Sequence, residues 1–566
     1  MPRDTDPTVR DPRRRRILQI LGGAGVMGLA GCAGGDGGDG GDGNGSGDGG
    51  GTNDTGGNDS GGDGGDEQAQ QGGTLTFAQV KSPIEFDPIV LNDVPSAEVA
   101  ATVFDSLYTY GEETDIVPQI AADMPTVEKD GQRYIVPIRD DAVFQNGDPV
   151  TAEDVAYSFT APVEEETENA GEFNMIDTVE ATDDTTVQFD LKFPFGAFTS
   201  YLPWSIVPKS VREEDKEAFN TQQPVGAGPF TFEDWTEGDF VQVARWDEYW
   251  AAENGDQELP NLDGVEFVPV EEGTTRVTTL NSGENHVIKE IPPKSWPTVE
   301  DMSDAAIEAV PGTNYFYLAF NCNEGPTTDP KVREAVDYTF SMDQAVSNFV
   351  EPTGLRQYSP LPKSLAEGWE MPLDEWQGIP HDKDIGQAQS LFEEAGVSSD
   401  YSWRIIVPPD DKREQIGVTV ANGLKEAGFD ANVQRLDWGA FLDQYVSGSE
   451  DDYNMYTLGW AGSPDPDSFM YFLFAQEMFE TTNGTFYENS EVDQKIMTGR
   501  ESTDREERRQ AYQEAITTVL EDRAHLPAYG LKNSYGVRSR VRDFSAHPVM
   551  YHSIYSDWNN VSLQSE

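Results

Sequence analysis

Cysteine is almost missing from this chain: 566 residues carry two, Cys32 near the start and Cys322 far downstream. Two such cysteines build no disulfide framework, and no Cys-x-x-Cys pair offers a structural zinc site. Cys322, in an apolar setting, reads as a buried small hydrophobe. Basic residues are scarce too, 38 Lys and Arg against 103 Asp and Glu, for a formal net charge of −65. With no basic stripe to neutralise phosphates, nucleic acid is excluded as a partner. The five histidines, His286, His381, His525, His547 and His552, follow no metal-ligand spacing. The sequence also lacks a Gly-x-Ser-x-Gly elbow, a phosphate loop and a His-Glu-x-x-His pair. It has no internal repeat of about 20–50 residues, which excludes a solenoid. No enzyme, metal site or cofactor site is legible.

What is present is acid surplus on a chain patterned for folded cores, with an aromatic fraction of 11%. So many like charges repel in dilute salt, whereas at molar salt the Debye length falls to roughly 3 Å. The composition reads as adaptation to a salty medium, the alternatives being a calcium-dependent or a merely acidic surface.

The N-terminus carries two export signals in series. Arg13 to Arg16 precede Ile17 and Leu18, and the apolar stretch 17–29 is shorter than the about 20 residues a membrane span requires. The run resembles a twin-arginine signal. Leu29-Ala30-Gly31-Cys32 resembles a lipobox, which makes Cys32 the lipid attachment point. Residues 33–72 are nearly all Gly, Asp, Asn, Ser and Thr. This composition predicts a disordered tether reaching roughly 35 Å. Sequon-type triplets at Asn44, Asn53 and Asn58 are cheap in such a segment and read as chance.

Folded patterning starts near Gly73. Strands are expected at 74–80, 134–138, 187–191 and 265–270, and helices at 95–107 and from Thr151. Thr151 and Asp154 are spaced as a capping box, with Val155 and Phe159 turned inward. From Pro311 strands alternate with helices. A strand at 316–320 is followed by a helix capped at Asp329-Pro330. Strands at 403–407, 431–436 and 453–460 are separated by a helix with Ile416, Val420, Leu424 and Ala427 on one face and by a helix at 438–446. That β-α-β-α-β order predicts parallel, doubly wound strands. A long helix at 503–523 has Thr503 and Glu506 in capping-box spacing and buries Tyr512, Ala515, Ile516, Val519 and Leu520. A strand-rich tail runs from Ala528 to Leu563.

Ligands bind beyond the carboxyl ends of parallel strands. The segment 459–469 (GWAGSPDPDSF) falls at such an end and is predicted to wall a ligand pocket. Asp465 and Asp467 there read as a turn and a helix cap rather than as catalytic carboxylates.

The segment 134–159 (YIVPIRDDAVFQNGDPVTAEDVAYSF) is similar to the signature of the dipeptide/oligopeptide/nickel family of extracellular solute-binding proteins of ABC importers. Phe86-Asp87-Pro88, the run 225–230 (VGAGPF), the run 280–284 (LNSGE), Phe320-Asn321 and the run 329–335 (DPKVREA) match in the same order, so that the likeness covers about 73–559. It implies an α/β, bilobed, periplasmic-binding-protein-like fold of type II, with mixed sheets, flanking helices and an extra domain. Lobe I would comprise 73–115, 225–312 and 529–566, the extra domain 116–224 and lobe II 313–528. Hinge crossings would fall near 311–315 and 526–529. The implied molecule is a monomeric, non-enzymatic receptor, exported and held to the outer face of the membrane by lipid on Cys32. It would deliver a small-molecule or peptide ligand to an ABC permease and ATPase.

Family pocket positions map onto Gly459, Trp460, Ala461, Trp438, Tyr445, Val94 and Tyr529. The family's amine-binding Asp after the Gly-Trp pair is replaced here by Ser463-Pro464, which leaves Asp465 as its substitute or the ligand without an amine there. An oligosaccharide or metal-chelate solute, a surface structural protein and a hydrolase are the competing readings.

Overall fold

The computed structural model describes residues 71–112, 114–549, 551 and 553–564. The arginine run, Cys32, the spacer up to residue 70 and His552 lie outside the described residues.

The strands are β1 (Thr74–Gln79), β2 (Thr126–Glu128), β3 (Arg133–Pro137), β4 (Ile176–Asp183), β5 (Thr186–Leu191), β6 (Phe230–Thr236), β7 (Phe240–Arg245), β8 (Gly264–Pro269) and β9 (Val287–Lys289). They continue with β10 (Ala305–Pro311), β11 (Asn314–Phe320), β12 (Ser402–Val407), β13 (Asp430–Arg435), β14 (Met455–Ala461) and β15 (His525–Arg538). The helices that matter for the site are α1 (Val94–Val103), α2 (Ala152–Glu164), α3 (Asp411–Glu426), α4 (Trp438–Tyr445), α5 (Asp467–Phe474), α6 (Ser490–Glu501) and α7 (Arg505–Glu521).

One sheet runs through the molecule in the order β13-β12-β14-β11-β15-β9-β1-β8-β7-β6. It contains two sets of three parallel strands. In one, β12 pairs with β13 on one side and β14 on the other; in the other, β1 pairs with β8 and β9. Each set therefore has a point where successive crossovers go to opposite sides of a central strand, which opens a crevice at the carboxyl ends. The strand expected at 316–320, here β11, enters antiparallel to β14, so the parallel reading holds for three strands and the sheet is mixed.

β15 joins the two sets. Its first residues pair with β11, and its later ones with β10 and β9. β10 and β11 are separated only by Gly312 and Thr313. A smaller sheet, β2-β3-β5-β4, stands apart. Its apolar cluster also takes in Ala227, Tyr249 and Trp250, so the expected boundary at 224 passes through a shared core.

The pleat explains how the central strands are built. Along β11, Tyr315, Tyr317 and Ala319 join one apolar cluster while Phe316, Leu318 and Phe320 join another on the opposite face. Both faces are covered by helices, hence the unbroken apolar run. Each fully buried ring contributes roughly 1.5–3 kcal/mol. The faces expected for α3 and α7 are buried as read, and Thr151 and Asp154 form a reciprocal capping box on α2. Three details differ. α7 is capped by Asp504, one residue after Thr503, because Asp504 reaches the Glu507 N–H. Asp467 is the first residue of α5 rather than its cap. Cys322 is half-buried.

Candidate functional site

The carboxyl ends of the two parallel sets face one cleft of about 1280 Å³. The loops after β1, β8 and β9 form one wall, with α1. The loops after β12 and β14 form the other.

The first wall is held by buried charge. Lys289 Nζ pairs with Glu98 Oε1 of α1, and Gln79 Nε2 donates to Glu98 Oε2 at 2.8 Å and to the Pro95 carbonyl at 3.0 Å. Burial pushes the Glu98 carboxyl up, against the pull of Lys289. Arg276 ties the loops together by donating to the carbonyls of Val270, Glu271, Lys289 and Glu290. Nearby, Asp105 is buried and accepts from Trp250 Nε1 (2.8 Å), Gln119 Nε2 (2.8 Å) and the Tyr249 hydroxyl (3.3 Å). Burial, opposed by the Trp250 and Tyr249 hydrogen bonds, raises its carboxyl to about 7.

A folded-state value above the unfolded one makes the Asp105 contribution to stability complete in acid and lost as pH rises from 3.8 to about 7. Relative to non-titrating Asp105→Asn, wild type should lose on the order of 4 kcal/mol across that window. Denaturant unfolding of both proteins at stepped pH checks this; parallel profiles would refute it.

On the second wall, Asp410 caps α3 by accepting the Arg413 backbone N–H at 2.8 Å. That cap sets Arg413 at the cleft. The residue is 6% exposed, and its guanidinium lies 5.6 Å over the Phe316 ring. Its Nε is 3.3 Å from Asp410 Oδ1, yet it has no aligned hydrogen-bond acceptor among the described residues. A buried cation so placed has donor capacity left for an anion.

Of the residues expected to contact ligand, Val94 and Ala461 line the cleft, followed by Gly462, Ser463 and Pro464. The other six do not line it. Trp460 is buried, donates from Nε1 to the Ser468 carbonyl at 2.7 Å and stacks on Phe472, which itself faces the cleft. Gly459 leaves room for the Phe316 ring: a Cβ there would lie 2.3 Å from Phe316 Cε1. Tyr529 stacks flat on the Phe316 ring, with the ring centroids 4.6 Å apart. Tyr445 is buried, with its hydroxyl on the Thr481 carbonyl. Trp438 stacks on Phe441.

Asp465 is turned inward. Its Oδ1 accepts from Arg508 Nη2 at 2.7 Å and from the Asp467 N–H at 2.8 Å. Asp467 pairs with Arg500 and accepts from Tyr512. Burial pushes the Asp467 carboxyl up, against Arg500. Neither carboxylate is left over for a ligand amine. Among the described residues, no cluster of three or more metal-ligating side chains occurs.

Arg413 and Phe472 went unread in the sequence. The signal for Arg413 was available, since the rule that singled out 459–469 applies equally to the loop after the strand at 402–407.

This arrangement, two parallel-strand crevices facing one cleft and joined by β15, is that of a two-walled binding protein. The family model for bacterial extracellular solute-binding proteins, family 5 (middle region), matches residues 115–479, and the chain belongs to that family. The chain is 25% identical over 512 residues to the oligopeptide-binding protein AppA of Bacillus subtilis (strain 168), covering 85% of this chain and 90% of the relative. It is 27% identical over 477 residues to the glutathione-binding protein GsiB of Pectobacterium atrosepticum, covering 79% and 90%. The solved structure of Bacillus subtilis AppA with a nonapeptide shares the fold, with a TM-score of 0.67 and 22% identity over 88% of this chain and all of that one. The protein is a solute-binding receptor of the ABC-importer class and not an enzyme.

Proposed function

We propose that the chain captures a short peptide outside the cell, as a monomer, and hands it to an ABC permease powered by a separate ATPase. The observation that carries this reading is Arg413, a buried guanidinium with an unsatisfied Nε on the wall of a peptide-sized cleft. It suits a free carboxylate. The names of AppA and GsiB, oligopeptide- and glutathione-binding, support a peptidic solute. With Asp465 and Asp467 paired internally, the ligand amine is not held at the loop after β14. Lipid on Cys32 would keep the receptor at the membrane, with 33–72 as spacer. The lobes, divided as 73–115 with 225–312 and 529–566, against 313–528, with 116–224 as the extra domain, would close about Gly312–Thr313 and the middle of β15. Ligand drives closure only through its differential affinity for the closed form.

Native mass spectrometry of the protein purified in molar salt tests the reading. The expected result is retained solute that denaturation releases as short peptides with free carboxyl ends. Release of an oligosaccharide or a metal chelate instead would overturn the peptide assignment.

We further propose a halophilic setting, from the net charge of −65. Going from about 0.1 M to 1 M salt shortens the Debye length from about 10 Å to about 3 Å. The melting temperature should rise by an amount on the order of 10 °C, corresponding to a few kcal/mol for lobes of this size. Scanning calorimetry across that range checks it, and a flat profile would contradict it.

A further inference from the structure

The extra domain and the loop after β14 meet directly through the end of α6. The Gly196 N–H donates to the Arg500 carbonyl at 2.8 Å. The backbones are so close that a Cβ on Gly196 would lie 1.6 Å from the Ser502 carbonyl oxygen. The Arg500 guanidinium lies 4.5 Å from the Phe195 ring centroid and 5.7 Å from Phe193 on the extra domain, and 3.7 Å from Tyr471 on α5. The same guanidinium pairs with Asp467. Phe193, Arg500 and Tyr471 all line the cleft.

The contact is thin. The apolar cluster around β3 and β5 shares no residue with the cluster that holds α5, α6 and α7. A permanent junction would fuse the two cores. One backbone hydrogen bond, a cation over aromatic rings and the abutment of Gly131 and Gly196 on residues 501–503 form a contact without a shared apolar core, which is made and broken cheaply.

We propose that Arg500 is a positioning residue for solute capture: it clasps the extra domain's 193–196 rim to the ligand loop 461–468 and holds the cleft shut along that edge. Two groups of one residue act in the two directions. The carbonyl engages the rim, and the guanidinium, through Asp467, fixes the loop whose Ala461 to Pro464 face the solute. The inward ion pairs of the 459–469 segment thereby acquire a purpose in closure. A clasp of this kind, in exchange with an open form before solute arrives, slows departure more than arrival because bound solute favours the closed form.

Arg500→Ala strands the buried Asp467 carboxylate and risks misfolding, so the test uses two gentler variants of the full chain. Gly196→Ala adds a methyl group against Ser502 without touching the cleft. Arg500→Lys keeps the charge beside Asp467 but loses the planar stack. Hydrogen exchange of the unliganded protein should show lost protection in 193–198 and faster exchange in 461–466 for both variants, with protection of β1 and β11 kept as in wild type. With trialanine as probe, stopped-flow tryptophan fluorescence should show dissociation accelerated about tenfold and association changed by less than about twofold. Wild-type exchange in 461–466 in both variants, or unchanged dissociation of trialanine, would overturn the clasp. If trialanine fails to bind wild type, the peptide reading fails while the exchange experiment still decides the clasp.

Discussion

Arg413→Ala weakens binding of free-acid peptides by roughly 30- to 1000-fold, the equivalent of about 2–4 kcal/mol, without destabilising the unliganded protein. Truncating one member of a buried, hydrogen-bonded charge pair costs about 2–5 kcal/mol. In the bound state Arg413 and a ligand carboxylate would form such a pair. In the free protein Arg413 has a poorer partner: its Nε lies 3.3 Å from Asp410 Oδ1 without an aligned hydrogen bond, and that oxygen already accepts the Arg413 N–H that caps α3. Because the Asp410 side chain is 32% exposed and keeps its capping role, removing this cation strands no buried charge and leaves stability nearly unchanged. A large loss of binding with little change in stability separates a ligand contact from a scaffold residue. Arg413→Lys should retain part of the affinity, since an ammonium is a point charge rather than a planar fork. Titration calorimetry and thermal unfolding of the three proteins read both effects. A parallel loss of stability and affinity would make Arg413 a scaffold residue.

Arg212→Leu has the opposite profile, a loss of roughly 3–5 kcal/mol in stability with no direct effect on the cleft. Arg212 is fully buried on the helix Lys209–Glu214. It donates to Asp87 Oδ2 at 2.6 Å, to the Tyr157 hydroxyl at 2.6 Å and to both carboxylate oxygens of Glu165 at 2.7 and 3.0 Å. Asp87 is 1% exposed. Burial pushes its carboxyl up, and Arg212 opposes this. Without Arg212 that carboxylate is buried without a cation. Asp87→Asn on the Arg212→Leu background should recover part of the loss by removing the stranded charge, a non-additivity that a double-mutant cycle in denaturant would measure. Additive losses would mean that Asp87 and Arg212 do not depend on each other.

These two arginines show where sequence reading succeeds and stops. Helix faces such as Ile416-Val420-Leu424 and caps such as Thr151–Asp154 were legible because their physics is local. The segments that identify the family are local too, and they build scaffold. Asp87 anchors Arg212. Gln145 donates from Nε2 to the carbonyls of Gly228 and Phe230 and accepts the Gly226 N–H, fastening the 225–230 run. Asp154 caps α2 and accepts the Lys209 N–H. Their partners lie far away in sequence, Arg212 in a stretch with no motif, so the pairs were invisible while the single residues were not.

The site was legible as a place rather than as a set of side chains. The end of a parallel strand at 459–469 does face the cleft, through Ala461 to Pro464. Which residues turn outward depends on long-range charge. Asp465 and Asp467 turn inward because Arg508 and Arg500, on α7 and α6, meet them there. Trp460 lies one ring behind the surface because Phe472 stacks over it. Period and spacing carry neither fact.

Titration calorimetry of the purified chain in molar salt, with a pool of short free-acid peptides and then the same pool carboxyl-amidated, tests the central claim that the cleft captures peptides through Arg413. Saturable binding of the free acids is expected, with a negative heat-capacity change from apolar burial, and binding of the amides at least about 30-fold weaker. Equal binding of acids and amides, or no binding of either pool, would contradict it.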